Sequence, residues 1–309
     1  MWADMRLTTA IALFVLTPGV VLATPPADDS QRGAFINIWV RPSGDAERQH
    51  ATVDLQSKPK LEVTREDLQY GGAKTKYRGV SLRALLETLD HTGRSDMVLL
   101  HYLNGMSVPL PIDDLELLKT LDPFVATELQ VDGVWTNKFP PLTKKGAENR
   151  DARPLIFQGN KVVVASAAHP FTSKASRDDG FTPFFFGDTL TGIEFVRAEN
   201  WYKQFDLGTS APEKRGFELF KSHCQYCHSL REVGGRYGID FLKPNPIVKR
   251  IGVQDLFLHV RYRDRNAPET GQMMPFFKDV SKDDVGAIYA WLQAVTAARP
   301  MPYIAPAHH

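Results

Sequence analysis

The sequence predicts two domains, an α+β domain over residues 34–206 followed by an all-α domain over 207–300. Three observations predict this order. Strand-like runs (HATVDLQ, KLEVTRED, MVLLHYL, FVATELQV, KVVVAS and GIEFVRAE) dominate the earlier part of the chain. Short runs with apolar residues at helical spacing stand between them, the mixture expected of an α+β fold. DLGTSAPEKRG, rich in Gly, Ser, Thr and Pro, then marks a boundary beyond which helical patterning takes over.

The 309 residues are enough for each domain to bury a core of its own. A net charge of +1 signals neither a polyanion-binding surface nor an acidic tail, so nucleic-acid binding is not indicated. Residues 1–23 have the form of a secretory signal: Arg6 and the amino terminus, the apolar LTTAIALFVLTPGVVL, and VLA ending at Ala23. A flexible leader follows over 24–33, and no later stretch is apolar and long enough to span a bilayer after cleavage. Export to the periplasm is therefore expected.

Along the first domain, SLRALLETLD places Leu82, Leu85, Leu86 and Leu89 on one helical face, and IDDLELLKTLD repeats the pattern with Leu115, Leu118 and Leu121. Asn104-Gly105 and Asp132-Gly133 predict hairpin turns that need positive φ. The polar stretch WTNKFPPLTKKGAENRDARP reads as a long surface loop. In the second domain, EKRGFELFKSH reads as a helix. The last helix opens with a capping box, Ser281 and Asp284, and carries Val285, Ile288, Tyr289, Leu292 and Val295 on one face. Residues 301–309 read as a loose tail. His50, His91, His101 and His169 are scattered without metal-ligand spacing, and Asp113-Asp114 and Asp178-Asp179 read as turn and helix-start acids.

The only two cysteines, Cys224 and Cys227, stand in HCQYCHSL, followed at once by His228. An exported chain with so few cysteines uses them for chemistry, because a disulfide across two residues closes too small a loop to staple a fold. Zinc would need four closing ligands, and His223 and His228 lie too near the cysteines to complete a tetrahedron easily. A redox dithiol would sit between a strand and a helix N-terminus, whereas this pair follows a helix. Cys-x-x-Cys-His is the attachment signature of c-type haem, two thioethers to the porphyrin and the histidine under the iron, and it accounts for all three residues. One covalent haem c is the expected cofactor. A sixth ligand is offered by Met274, which Pro275 biases away from helix, with Met273 as its rival.

Over residues 211–298 the chain resembles a class I cytochrome c. The resemblance is carried by Gly216, Phe220, Cys224, Cys227 and His228 in a G-x-x-x-F-x-x-x-C-x-x-C-H pattern, a GG loop, the helix VQDLFLHVRYR, MPFF and a last helix with YAWL. It implies that Gly216 lets the first and last helices cross closely, with Phe220 and Tyr289 at the crossing. It also implies a carbonyl that orients His228. The family's GPDL is replaced by GGRYGIDFL, leaving Ile239, Pro244 or Pro246 to supply that carbonyl.

The first domain, through YRGVSLRALLETL, MVLLHYLNGMSVPLPIDDL and GIEFVRAENW, is similar to the molybdopterin-binding domain of the sulfite oxidase family. That family binds molybdenum through a cysteine, and no cysteine exists here outside the haem motif, so molybdopterin is not expected and a docking module is. The expected function is a periplasmic monohaem cytochrome passing single electrons from a partner dehydrogenase to an acceptor. The alternative is a molybdopterin-dependent oxidoreductase feeding its own haem.

Overall fold

The computed structural model describes residues 34–40, 49–67, 73–89, 95–139, 157–165, 189–203, 205, 208–262, 277 and 280–298. The signal segment, the leader, the tail, Met273, Met274, His91, His169, Asp178 and Asp179 lie outside these residues.

One five-stranded sheet runs in the order β2 (Gln49–Asp54), β1 (Phe35–Val40), β12 (Leu190–Val196), β5 (Met97–Tyr102), β6 (Ser107–Pro111). The β1–β12 pair is parallel and the other neighbours are antiparallel. A second sheet runs β11 (Lys161–Val163), β7 (Phe124–Val131), β4 (Ala73–Ser81), β3 (Leu61–Asp67), with β8 (Val134–Thr136) returning onto β7. Period-two alternation decides what each strand buries. On β5, Val98, Leu100 and Tyr102 enter the core shared by the two sheets, while Met97 and Leu99 enter a separate cluster with Val196 on the opposite face.

Helices α1 (Leu82–Leu89) and α2 (Leu115–Leu121) close that shared core with Leu82, Leu85, Leu86, Leu118 and Leu121. Their starts are local: the Ser81 hydroxyl accepts from Ala84 N at 3.3 Å and the Asp114 carboxylate from Leu117 N at 2.9 Å. Asn104-Gly105 makes the expected turn. Gly105 sits at φ 89°, and its N–H donates to Tyr102 O at 2.9 Å. That turn sets the β5–β6 register and brings Ser107 opposite His101.

After the short α3 (Ala198–Tyr202) come α4 (Ala211–His223), α5 (Val253–Tyr262) and α6 (Lys282–Ala298). Ser210 and Glu213 form a full capping box on α4, and Ser281 with Asp284 does the same for α6. The helices α4 and α6 cross where Gly216 meets the Ala287 carbonyl, so close that a Cβ would collide with it. Phe217, Phe220 and Trp291 fill this contact, while Tyr289 donates its hydroxyl to Val248 O at 3.0 Å and Ile251 O at 3.2 Å.

The expected separate all-α cytochrome domain is not what forms. The described chain is one mixed α+β fold. Directly after the cysteine motif lies a two-stranded ladder, β13 (Ser229–Leu230) with β14 (Val233–Gly234). Tyr226, only 2 % exposed, belongs to the core of the sheets, and Cys227 and Tyr237 pack against it. Ser107 N donates to Tyr226 O at 3.0 Å, and Arg236 N to Gly105 O at 2.6 Å. The physical reason is burial: the apolar ring of Tyr226 has its core in the sheets, and the backbone around it completes its hydrogen bonds there. Two-residue strands carry no periodicity, so the sequence pattern did not announce them.

Candidate functional site

The end of α4 winds directly into the motif. Cys224 N donates to Phe220 O at 2.9 Å, and Cys227 N and His228 N both donate to Cys224 O, at 3.2 and 2.9 Å. Cys224 thereby falls in the helical core and Cys227 against the core of the sheets. Neither is in a disulfide. Burial, joined at Cys224 by the neighbouring thiol, pushes both up to about 12. A dithiol working by exchange needs a lowered pKa. These shifts run the other way, so the thiols stay protonated near neutrality. No three His, Cys, Asp or Glu side chains among the described residues stand together as a metal-ligating group.

His228 is held from several sides. Its Nδ1 lies 2.8 Å from Ile239 O, an acceptor only, so Nδ1 carries a proton. Phe241 stacks on the ring at 4.5 Å with planes 30° apart. Gly238 backs it closely, since a Cβ there would lie 2.5 Å from Cε1. Of the three carbonyls the sequence left open, Ile239 is the one bonded to His228. An imidazole whose Nδ1–H is held by a backbone carbonyl is oriented to ligate iron through Nε2, so this part of the site fits the expected group.

The loop that carries Ile239 is anchored by Asp240. The β13–β14 turn runs through Arg231 at φ 51° and Glu232 at φ 71°, both non-glycine residues in the left-handed region, at a cost of about 1 kcal/mol each. No Asn-Gly or Asp-Gly signal marks this turn, which is why the sequence reading passed over it. The Asp240 carboxylate compensates, accepting from Glu232 N at 2.6 Å, Ser229 Oγ at 2.9 Å, Leu242 N at 2.7 Å and Lys243 N at 3.0 Å. Partial burial alone would raise its pKa. The donors of Glu232, Leu242, Ser229 and Arg231 outweigh that and hold it below the ordinary carboxylate value.

A lowered folded pKa contributes stability that is present above the unfolded value and lost as pH falls through the folded one. Asp240→Asn puts an NH2 among N–H donors and removes this dependence. The wild type is expected to lose stability as pH drops below about 4. In urea titrations the variant should be less stable at neutral pH and should lose less on acidification. Parallel pH profiles for the two proteins would refute this role.

The structure also assembles a cluster that the sequence did not mark. His101 Nε2 lies 3.0 Å from Glu194 Oε2, and its Nδ1 lies 3.2 Å from Ser107 Oγ. The pairing of His101 with Ser107 was implicit in the Asn104-Gly105 turn. Glu194 comes from a strand more than ninety residues later, and no local pattern points to it. Among the other residues considered from sequence, His223 Nδ1 lies 2.7 Å from Ser222 Oγ and 3.1 Å from Leu219 O, with its ring edge-on to Phe277. No helix of the described residues is long and apolar enough to cross a membrane.

No protein-family model matches the chain, and no curated protein matches it. The resemblance to class I cytochrome c is therefore not supported, and neither is the one to the sulfite oxidase family. The mixed fold around the motif bears this out, because Tyr226 and Cys227 are built into the sheets rather than into an independent helical domain.

Proposed function

We propose that this chain is an exported, periplasmic protein carrying one covalent c-type haem, and that it passes single electrons between a partner dehydrogenase and an acceptor. The observation that carries the reading is the state of His228. It follows two cysteines at attachment spacing, and its Nδ1–H is donated to Ile239 O at 2.8 Å, the orientation in which Nε2 would be the ligating nitrogen. The raised thiols weigh against the dithiol reading. When bound, the haem supplies one-electron chemistry at its iron.

The chain's own residues do the rest. Cys224 and Cys227 would hold the macrocycle by thioethers, and His228 would ligate its iron. The bond to Ile239 O strengthens the basicity of the ligating nitrogen and fixes the ring's orientation. Met274, or its neighbour Met273, would be the second iron ligand on sequence grounds. The sheets, which grip Tyr226 and Cys227, provide the docking body for the partner.

The test is covalent haem in protein matured in a periplasm with attachment machinery. Wild-type protein should keep its haem through denaturing electrophoresis. The Cys224→Ala/Cys227→Ala double variant should lose all of it, and each single variant should retain one thioether. Wild-type chains isolated with two free thiols and no iron would sink the proposal.

A further inference from the structure

We propose that the β5–β6 hairpin positions the cysteine motif: its tip at Gly105, acting through the loop from Arg236 to Ile239, sets where Cys227 and His228 stand. What those two residues do rests on the haem reading above.

Two stretches of the motif run side by side, Gln225 O accepting from Gly235 N at 2.9 Å and Cys227 O from Gly238 N at 2.7 Å. Each is tied to the hairpin. Ser107 N donates to Tyr226 O at 3.0 Å, and Arg236 N to Gly105 O at 2.6 Å. Ser107 opens β6, the outermost strand of its sheet, and an edge strand presents backbone groups that need partners. Tyr226 supplies one.

The loop that orients His228 is held at both ends. Asp240 anchors one end by accepting from Glu232, Ser229, Leu242 and Lys243. The hairpin ties the other end to the sheets through Arg236, and Tyr237 packs against their core beside it. Between the anchors lie Gly238, which backs the His228 ring, and Ile239, whose carbonyl accepts its Nδ1–H. Ile239 is three residues beyond Arg236, so there is little chain to absorb a shift of the hairpin tip.

Glycine is required at the tip for two reasons. Its φ of 89° lies in the left-handed region. A Cβ there would also stand 3.1 Å from Arg236 C, 3.2 Å from Arg236 O and 3.3 Å from Tyr237 N, backbone atoms that cannot rotate aside as a side chain would. Gly133, in the β7–β8 turn, separates the two demands. Its φ is 84°, yet a Cβ there would have no atom of the described residues within 4 Å. Alanine at either glycine strains its turn, but at Gly105 it also presses on the loop that holds His228.

The experiment is amide hydrogen exchange, followed by NMR, on the full-length wild type, Gly105→Ala, Gly133→Ala and Arg236→Pro, with haem content measured first. The rate of the Gly238 amide is taken relative to that of Ile38 on the internal strand β1, so that a general loss of stability cancels. This ratio should rise about tenfold in Gly105→Ala and stay at the wild-type value in Gly133→Ala. The downfield His228 Nδ1–H signal should weaken in the first variant and persist in the second. Arg236→Pro removes the donor to Gly105 O, should behave like Gly105→Ala, and decides the matter if Gly105→Ala does not fold. In the wild type by itself, the Ser107, Arg236 and Gly238 amides should share one denaturant dependence, as parts of a single opening unit. A wild-type ratio with an intact His228 signal in Gly105→Ala, or unrelated denaturant dependences in the wild type, would overturn the inference. The expected pattern in protein without covalent haem would uphold the positioning and overturn the haem reading alone.

Discussion

Trp291→Ala is expected to destabilise the fold by about 4 kcal/mol, the range measured for large aromatic-to-alanine changes in a core. Trp291 is 0 % exposed, and its ring centroid lies 5.4 Å from that of Phe217 and 5.0 Å from that of Phe220. Its removal leaves a cavity between α4 and α6 at the crossing that Gly216 makes possible. A second loss adds to the cavity, because the indole N–H donates to Phe205 O at 2.9 Å and that carbonyl would lose its donor. Trp291→Phe keeps most of the ring and should cost about half as much. Urea unfolding of both variants is the measurement. A loss below about 1 kcal/mol for Trp291→Ala would mean that the helical core is not organised around this side chain. The consequence reaches the site, since α4, whose Phe217 and Phe220 pack on Trp291, ends in the turn that presents Cys224.

Gly238→Ala is expected to displace the His228 ring. The added Cβ would stand 2.5 Å from Cε1 and 2.6 Å from Nδ1, well inside van der Waals contact. The ring has little room to retreat, with Phe241 stacked at 4.5 Å and Nδ1 held by Ile239 O at 2.8 Å. The bond to Ile239 should break, with an overpacking cost of about 2 kcal/mol. In haem-bearing protein the low-spin spectrum should weaken as His228 loses its orientation. Without haem, the downfield proton signal of His228 Nδ1–H should disappear. An alanine variant with unchanged stability and an intact signal would show that the ring is not confined from this side.

The elements that did show in the sequence are those specified by neighbours in the chain. Leucine spacing announced α1 and, with Asp114, α2, Ser281 and Asp284 announced α6, and Asn104-Gly105 announced the β5–β6 turn, because helical spacing, caps and turns are decided by residues close together in the chain. The attachment motif was legible for the same reason. Its chemistry depends on three residues within a span of five. The sequence alone therefore determined the local elements and the haem hypothesis.

Tertiary structure decided what neighbours cannot. The turn at Arg231 and Glu232 exists because Asp240, eight residues further on, offsets its strain, and no residue in the turn itself signals it. Tyr226 left the helical unit for the core of the sheets because its buried surface finds a place there, and this replaced the expected all-α domain with one mixed fold. Glu194 met His101 through strand order, β12 lying beside β5. The physical reason is common to all three. Burial and long-range register are settled by competition among distant segments for one core, and local sequence patterns carry almost no record of that competition.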